Sequence, residues 1–170
     1  MKIFYGGAIQ GSTDRKKGSQ IHQYILSILK SLDCEICTEH TSGESYEKAI
    51  EKLEASIGPL PEKGLERRIY VRNKMIEAIE GDIDACIFEV STPSLGTGIE
   101  IAHAYLRPRM GLKSIPVVAL YQKDFWPNEL STMIQGITTE TVPQFCLLEY
   151  NDNESLPTML KEVIESFAPE

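Results

Sequence analysis

The chain has little that would tie it to a membrane, a polyanion or an oxidising compartment. No apolar run in its 170 residues reaches the ~20 residues that a bilayer-spanning helix needs. Positive charge is in deficit: 17 Lys and Arg against 25 Asp and Glu leave a formal net charge of −8. Non-specific nucleic-acid affinity rests on many Lys and Arg contacts to phosphate, so no nucleic-acid polymer is expected as partner. A small anion held in a local pocket stays compatible with that balance. Cysteines number only four, and residues 1–7 already read as strand and turn with no signal-peptide pattern before them. The expectation is a soluble, cytoplasmic protein without a disulfide framework. The one close pair, Cys34-Glu35-Ile36-Cys37, falls on a strand, where a spacing of three sends the two thiols to opposite faces, so joint metal ligation is not expected. Cys86 reads as a small core residue.

What the chain does have is an apolar fraction of 42%, enough for one core over residues 1–170, with no internal repeat and no low-complexity run. Its organising stretch is Ser91-Thr92-Pro93-Ser94-Leu95-Gly96-Thr97-Gly98-Ile99-Glu100. Before it, Ala85-Cys86-Ile87-Phe88-Glu89-Val90 is mostly apolar and reads as a buried parallel strand. After it, Ile101-Ala102-His103-Ala104-Tyr105-Leu106 reads as a helix. Gly96 and Gly98 carry no Cβ, so backbone N–H groups can approach a ligand closely. Helix-start amides and the helix dipole favour an anion there. In this reading Glu100 sits in the first helical turn, ionised beside a bound molecule, as a carboxylate nucleophile requires. A second reading of the same residue is structural: Thr97-Gly98-Ile99-Glu100 fits a capping box, in which the glutamate only satisfies a backbone amide.

Periodicity supplies the rest. Residues 2–5 form a first strand, followed by the glycine-rich turn Gly6-Gly7-Ala8-Ile9-Gln10-Gly11. Residues 14–32 read as a helix with Ile21, Tyr24, Ile25, Ile28, Leu29 and Leu32 on one face. Strand 35–38 ends in Thr38-Glu39-His40. Helices are expected at 44–56, 65–80, 127–135 and 155–167, and strands at 114–121 and 145–150. Alternation of strands and helices implies a parallel sheet covered on both faces. The economical strand order is 2-1-3-4-5, a flavodoxin/Rossmann-like α/β fold. That order brings both glycine-rich turns to one crevice, at the carboxyl ends of the first and third strands.

Ile3-Phe4-Tyr5-Gly6-Gly7-Ala8-Ile9-Gln10-Gly11, Thr38-Glu39-His40, Glu89-Val90-Ser91-Thr92-Pro93-Ser94-Leu95-Gly96-Thr97-Gly98-Ile99-Glu100 and Ser131-Thr132-Met133-Ile134-Gln135-Gly136 occur in that sequence. Together they resemble the 2'-deoxynucleoside 5'-phosphate N-hydrolases of the nucleoside 2-deoxyribosyltransferase superfamily. The resemblance covers most of the chain and is weakest across residues 42–72. It implies hydrolysis of the N-glycosidic bond of a nucleoside 5'-monophosphate, with no metal or organic cofactor. Glu100 would attack the anomeric carbon, and Ser94 with the amides around Gly96 and Gly98 would hold the phosphate. Phe4, Gly6, Gly7, Ile9, Gln10 and Gly11 would contact substrate from the first turn, and His40 would lie by the base or sugar. The resemblance also implies a homodimer, with Ser131 reaching the neighbouring subunit's site and Met133 beside it.

Three positions depart from the family pattern. Phe4 stands where a tyrosine is usual, and Tyr5 faces the opposite way along a strand. Gln10 replaces an arginine, removing a bidentate phosphate partner that Arg15 or Lys16 would have to replace. Asn73 falls on the family's catalytic aspartate, and an amide cannot exchange a proton as a carboxyl does; Asp82 and Asp84 are poorer substitutes. These departures motivate a second hypothesis, a nucleotide-binding relative with impaired chemistry. A deoxyribosyltransferase is a further alternative, and an electron carrier rests on fold analogy alone. Glu100-Ile101-Ala102-His103 has the Glu-x-x-His spacing of di-iron bundles, but no other helix supplies matching ligands. His103 is expected on a helix face or a subunit interface.

Overall fold

The computed structural model describes residues 1–8, 15–123, 125 and 129–167. Ile9, Gln10 and Gly11, expected to touch substrate, lie outside the described residues, as do the side chains of Arg15 and Lys16. Five strands, β1 (Lys2–Gly7), β2 (Glu35–Ile36), β3 (Ala85–Glu89), β4 (Val117–Gln122) and β5 (Phe145–Tyr150), form one parallel sheet. Its order is β2-β1-β3-β4-β5, as the alternation of elements requires. The helices are α1 (Arg15–Ser31), α2 (Tyr46–Ile57), α3 (Leu65–Glu80), α4 (Leu95–Leu106), α5 (Thr132–Gln135) and α6 (Leu156–Ser166). None of the described helices is long and apolar enough to cross a membrane.

The sheet separates two cores. Even-numbered residues of β1 and β3, among them Phe4, Cys86 and Phe88, pack with Met75, Ile76 and Ile79 of α3 and Ile101 and Ala104 of α4. Odd-numbered residues, Ile3, Tyr5, Ala85 and Ile87, pack with Ile25 and Leu29 of α1 and Leu156 and Leu160 of α6. The period-2 alternation of a strand therefore decides which chemistry each face carries. Cys34 and Cys37 belong to opposite cores, as their spacing requires. Among the described residues no cluster of His, Cys, Asp and Glu could hold a metal ion.

Several boundaries differ from the sequence pattern: β1 runs on to Gly7 where a turn is expected after residue 5, α5 starts at Thr132 and not at 127, and three others have a local reason. The β2 ladder stops at Ile36, although the chain keeps running beside β1: Cys37 N–H donates to Ile3 O at 2.9 Å and Thr38 Oγ1 donates to Tyr5 O at 2.7 Å. A side chain there takes over from the backbone ladder. Strand β4 begins at Val117 and not at Ser114, because Pro116 has no N–H to pair; its carbonyl still accepts from Cys86 N–H at 2.9 Å. Helix α4 begins at Leu95, within the stretch expected to be a loop before Glu100. Gly96 and Gly98 are thus helical residues and not loop residues.

Candidate active site

Ser94 decides where α4 starts. Its side-chain oxygen accepts from Thr97 N–H at 3.3 Å, satisfying one of the orphan amides of the first turn. The capping role predicted for the Thr97–Glu100 pair is therefore already filled by Ser94, and Glu100 falls in the second turn, not the first. From there its carboxylate reaches the end of β1. A Cβ placed on Gly6 would lie 2.9 Å from Glu100 Oε2 and 2.8 Å from Phe88 Cδ1. Gly6 pairs in register with Phe88 on β3. Glu100 is thus seated at the carboxyl ends of β1 and β3, where the strand order reverses, in the place where open α/β sheets bind their ligands.

Burial pushes the Glu100 carboxyl up to about 7, because low dielectric penalises the ionised form. No hydrogen bond or cation offsets that cost among the described residues. Gly96 and Gly98 are exposed, and a Cβ on Gly98 would meet nothing within 4 Å. The helix start thus has open space over its amides.

Phe4 is fully buried on the Glu100 face and packs against Phe88, ring centroids 5.8 Å apart. Tyr5 faces the other way, and its hydroxyl meets His22 Nδ1 at 2.8 Å. It therefore cannot serve in place of Phe4. His22 Nε2 lies 3.2 Å from Ala8 O; a carbonyl only accepts, so Nε2 carries the proton and the Tyr5 hydroxyl donates to Nδ1. A Cβ on Gly7 would come within 2.5 Å of His22 Cε1. Gly7 is small because an imidazole occupies the space beneath the turn. Desolvation lowers His22 to about 4 despite its bond to Ala8.

His40 lies in a short 3-10 turn, His40–Ser42, after β2. It is buried, its Nδ1 has no partner among the described residues, and desolvation with nearby His22 lowers its pKa to about 4. Ser131 caps α5, its oxygen accepting from Met133 N–H at 3.3 Å. Ser94, Gly98, Ser131 and Met133 line one groove of about 530 Å³ between α4 and α5. Asn73 lies off the inward face of α3, exposed, accepting from Arg72 Nη1 at 3.1 Å. No described contact joins it to Glu100. Asp84 accepts from Lys2 N–H at 2.7 Å, at the amino end of β1 and away from the crevice. His103, one turn after Glu100, pairs with Glu80 of α3 at 2.9 Å. The Glu-x-x-His spacing is thus split between the crevice and a helix–helix contact.

Sequence reasoning passed over one polar cluster. Glu89, Ser91 and Tyr150 meet at the carboxyl end of the sheet on the α1/α6 face. A glutamate and a tyrosine closing apolar strands were the available signal.

No profile of a known protein family matches the chain. Individual relatives do, each named provisionally as a 2'-deoxynucleoside 5'-phosphate N-hydrolase 1. A Thermofilum pendens protein is 30% identical over 152 residues, covering 89% of this chain and 87% of the relative. A Methanosarcina mazei protein is 28% identical over 165 residues, covering 97% and 82% respectively. One from Syntrophotalea carbinolica is 29% identical over 169 residues, covering 96% and 94%.

Proposed function

Because this chain belongs to the 2'-deoxynucleoside 5'-phosphate N-hydrolase family, we propose that it hydrolyses the N-glycosidic bond of a deoxynucleoside 5'-monophosphate through a covalent bond to Glu100. The observation that carries this reading is the Glu100 carboxylate set against Gly6 at the reversal point of the sheet. The phosphate lies at the start of α4, where the Ser94 hydroxyl still has its proton to donate and where, with Thr97 N–H and Gly98 N–H bonded to Ser94, the amides of Leu95 and Gly96 are left for it. That anchor brings the sugar to Glu100. A Glu100 oxygen attacks the anomeric carbon, the carbon–nitrogen bond breaks, and the base leaves with the bonding pair. Water then adds to the same carbon and frees Glu100 and the sugar 5-phosphate, and the proton it loses balances the one the departing base takes up, as in retaining glycoside hydrolysis. Burial aids the attack by leaving the ionised carboxylate poorly solvated and close to the developing positive charge.

The reading includes a homodimer. Leu95, Ile99 and Met133 are 92%, 55% and 80% exposed around the α4/α5 groove. Large apolar side chains gathered on one surface mark an interaction site. A second copy seated there brings its Ser131 towards the neighbouring phosphate.

The test is a product screen across ribo- and deoxyribonucleoside 5'-monophosphates, with and without an added acceptor base. Free base and sugar 5-phosphate are expected, and Glu100→Ala abolishes them while the protein stays folded. Unchanged release in that variant removes Glu100 as nucleophile. Acceptor-dependent product identifies a transferase.

A second reading, a nucleotide-binding relative with impaired chemistry, is favoured by Asn73, an exposed amide with no contact to Glu100. It predicts tight monophosphate binding with no base release.

A further inference from the structure

Opposite the Glu100 crevice, across the sheet, lies a second cavity of about 640 Å³ beneath α1 and beside the carboxyl end of β5. Among the buried polar side chains that open onto it and that the proposed reaction does not use are Glu89 and Tyr150. Glu89 is 3% exposed, and Oε1 accepts from Ser91 N–H at 3.1 Å. Tyr150 is 1% exposed, and its hydroxyl comes near Glu89 and Ser91 but forms no hydrogen bond of acceptable geometry. A buried hydroxyl without a partner is uncommon in a folded protein and calls for one.

The lining specifies the partner's chemistry. The amides of Gln20, Gln122 and Asn153 add groups that both donate and accept, and Ile21 and Phe125 add apolar surface. No described lining residue is Lys or Arg, and Glu89 carries the only carboxylate among them. A flat, uncharged heterocycle with N–H and acceptor groups along its edge suits a carboxyl, a phenol and three carboxamides set beside apolar surface. We propose that this cavity binds a free nucleobase, the leaving group of the reaction, as a site separate from the catalytic crevice. Thr92 borders both this cavity and the α4/α5 groove, so an occupant lies against the strand-to-helix turn that carries Ser94. The choice of ligand rests on the N-glycosidase reading; the cavity and its unpaired hydroxyl do not.

Equilibrium dialysis of the full chain with adenine, cytosine, hypoxanthine and uracil tests this. At least one base is expected to bind wild type. It should bind Glu100→Ala equally well in the presence of a saturating deoxynucleoside monophosphate, which that variant cannot consume. Tyr150→Phe should weaken binding at least tenfold while leaving the thermal midpoint of the free protein unchanged or higher, because only an unpaired hydroxyl is removed. Retained binding in Tyr150→Phe, displacement of the base by the monophosphate, or no binding of any base overturns the proposal. Base release by wild type is measured in parallel. Release without binding at Tyr150 defeats this inference alone, whereas binding without release defeats the hydrolase reading alone.

Discussion

Among the described residues Glu100 has no partner to hold its charge, and its energetics and reactivity follow from that one fact. The folded carboxyl titrates at about 7 against an ordinary 4.5. Between those values the folded chain binds a proton that the unfolded chain has lost, so stability falls as pH rises through this window. Glu100→Gln removes the penalty. The variant is expected to be more stable than wild type by about 3 kcal/mol at pH 8 and equal to it at pH 4, as thermal denaturation at the two values would show. Turnover runs in the other direction, because the nucleophile must be ionised. The kcat/KM of wild type is expected to fall about tenfold per pH unit below about 7 and to level off above it. A carboxylate held by a cation would instead stay active well into acid. Gly6 carries the complementary constraint: a methyl group at this position meets the Glu100 oxygen and the Phe88 ring.

Helix α4 combines two jobs at its first turn, and Ser94 performs both. It caps the helix through Thr97 N–H, and in the proposed reaction its hydroxyl proton faces the phosphate. Two substitutions separate these roles. Ser94→Ala costs about 1 kcal/mol of stability, whereas Ser94→Gly costs only a few tenths, because glycine is itself tolerated at an N-cap. Both remove the hydroxyl, so both are expected to raise KM for the monophosphate to a similar degree. If KM tracks stability instead, Ser94 acts as a cap alone. The same element shows why its glycines are there. Gly98 weakens the helix but leaves open space over the amides, and that space matters only if something lands on it.

At the scale of the whole molecule, the parallel sheet keeps two sets of polar groups apart. Glu100 and Phe4 face α3 and α4; Tyr5, His22, Glu89 and Tyr150 face α1 and α6. The exposed apolar side chains at the α4/α5 groove leave the first of these faces unfinished in a single chain. Leu95→Glu, at a site 92% exposed, is expected to leave the monomer's thermal midpoint within a degree or two. It should convert a dimer to a monomer in analytical ultracentrifugation and lower kcat/KM, since Ser131 of a partner is then lost to the site. A dimer that persists, or full activity as a monomer, removes the shared-site arrangement.

The sequence by itself determined the alternation of elements, and with it the strand order and its reversal point at the carboxyl ends of β1 and β3. Apolar period and right-handed crossovers leave a chain of this length few other arrangements. Most boundaries followed from period and punctuation, as with α3 and β5. The start of α4 did not, because Ser94 and Thr97 both read as caps, and only the packed backbone selects the earlier one. Only the tertiary structure set Glu100 against Gly6, raised its pKa by burial, split His103 away to Glu80, and gathered Tyr5 with His22 and Glu89 with Tyr150. Those pairs join residues far apart in the chain, and local periodicity carries no information about which distant side chains will share one dry space.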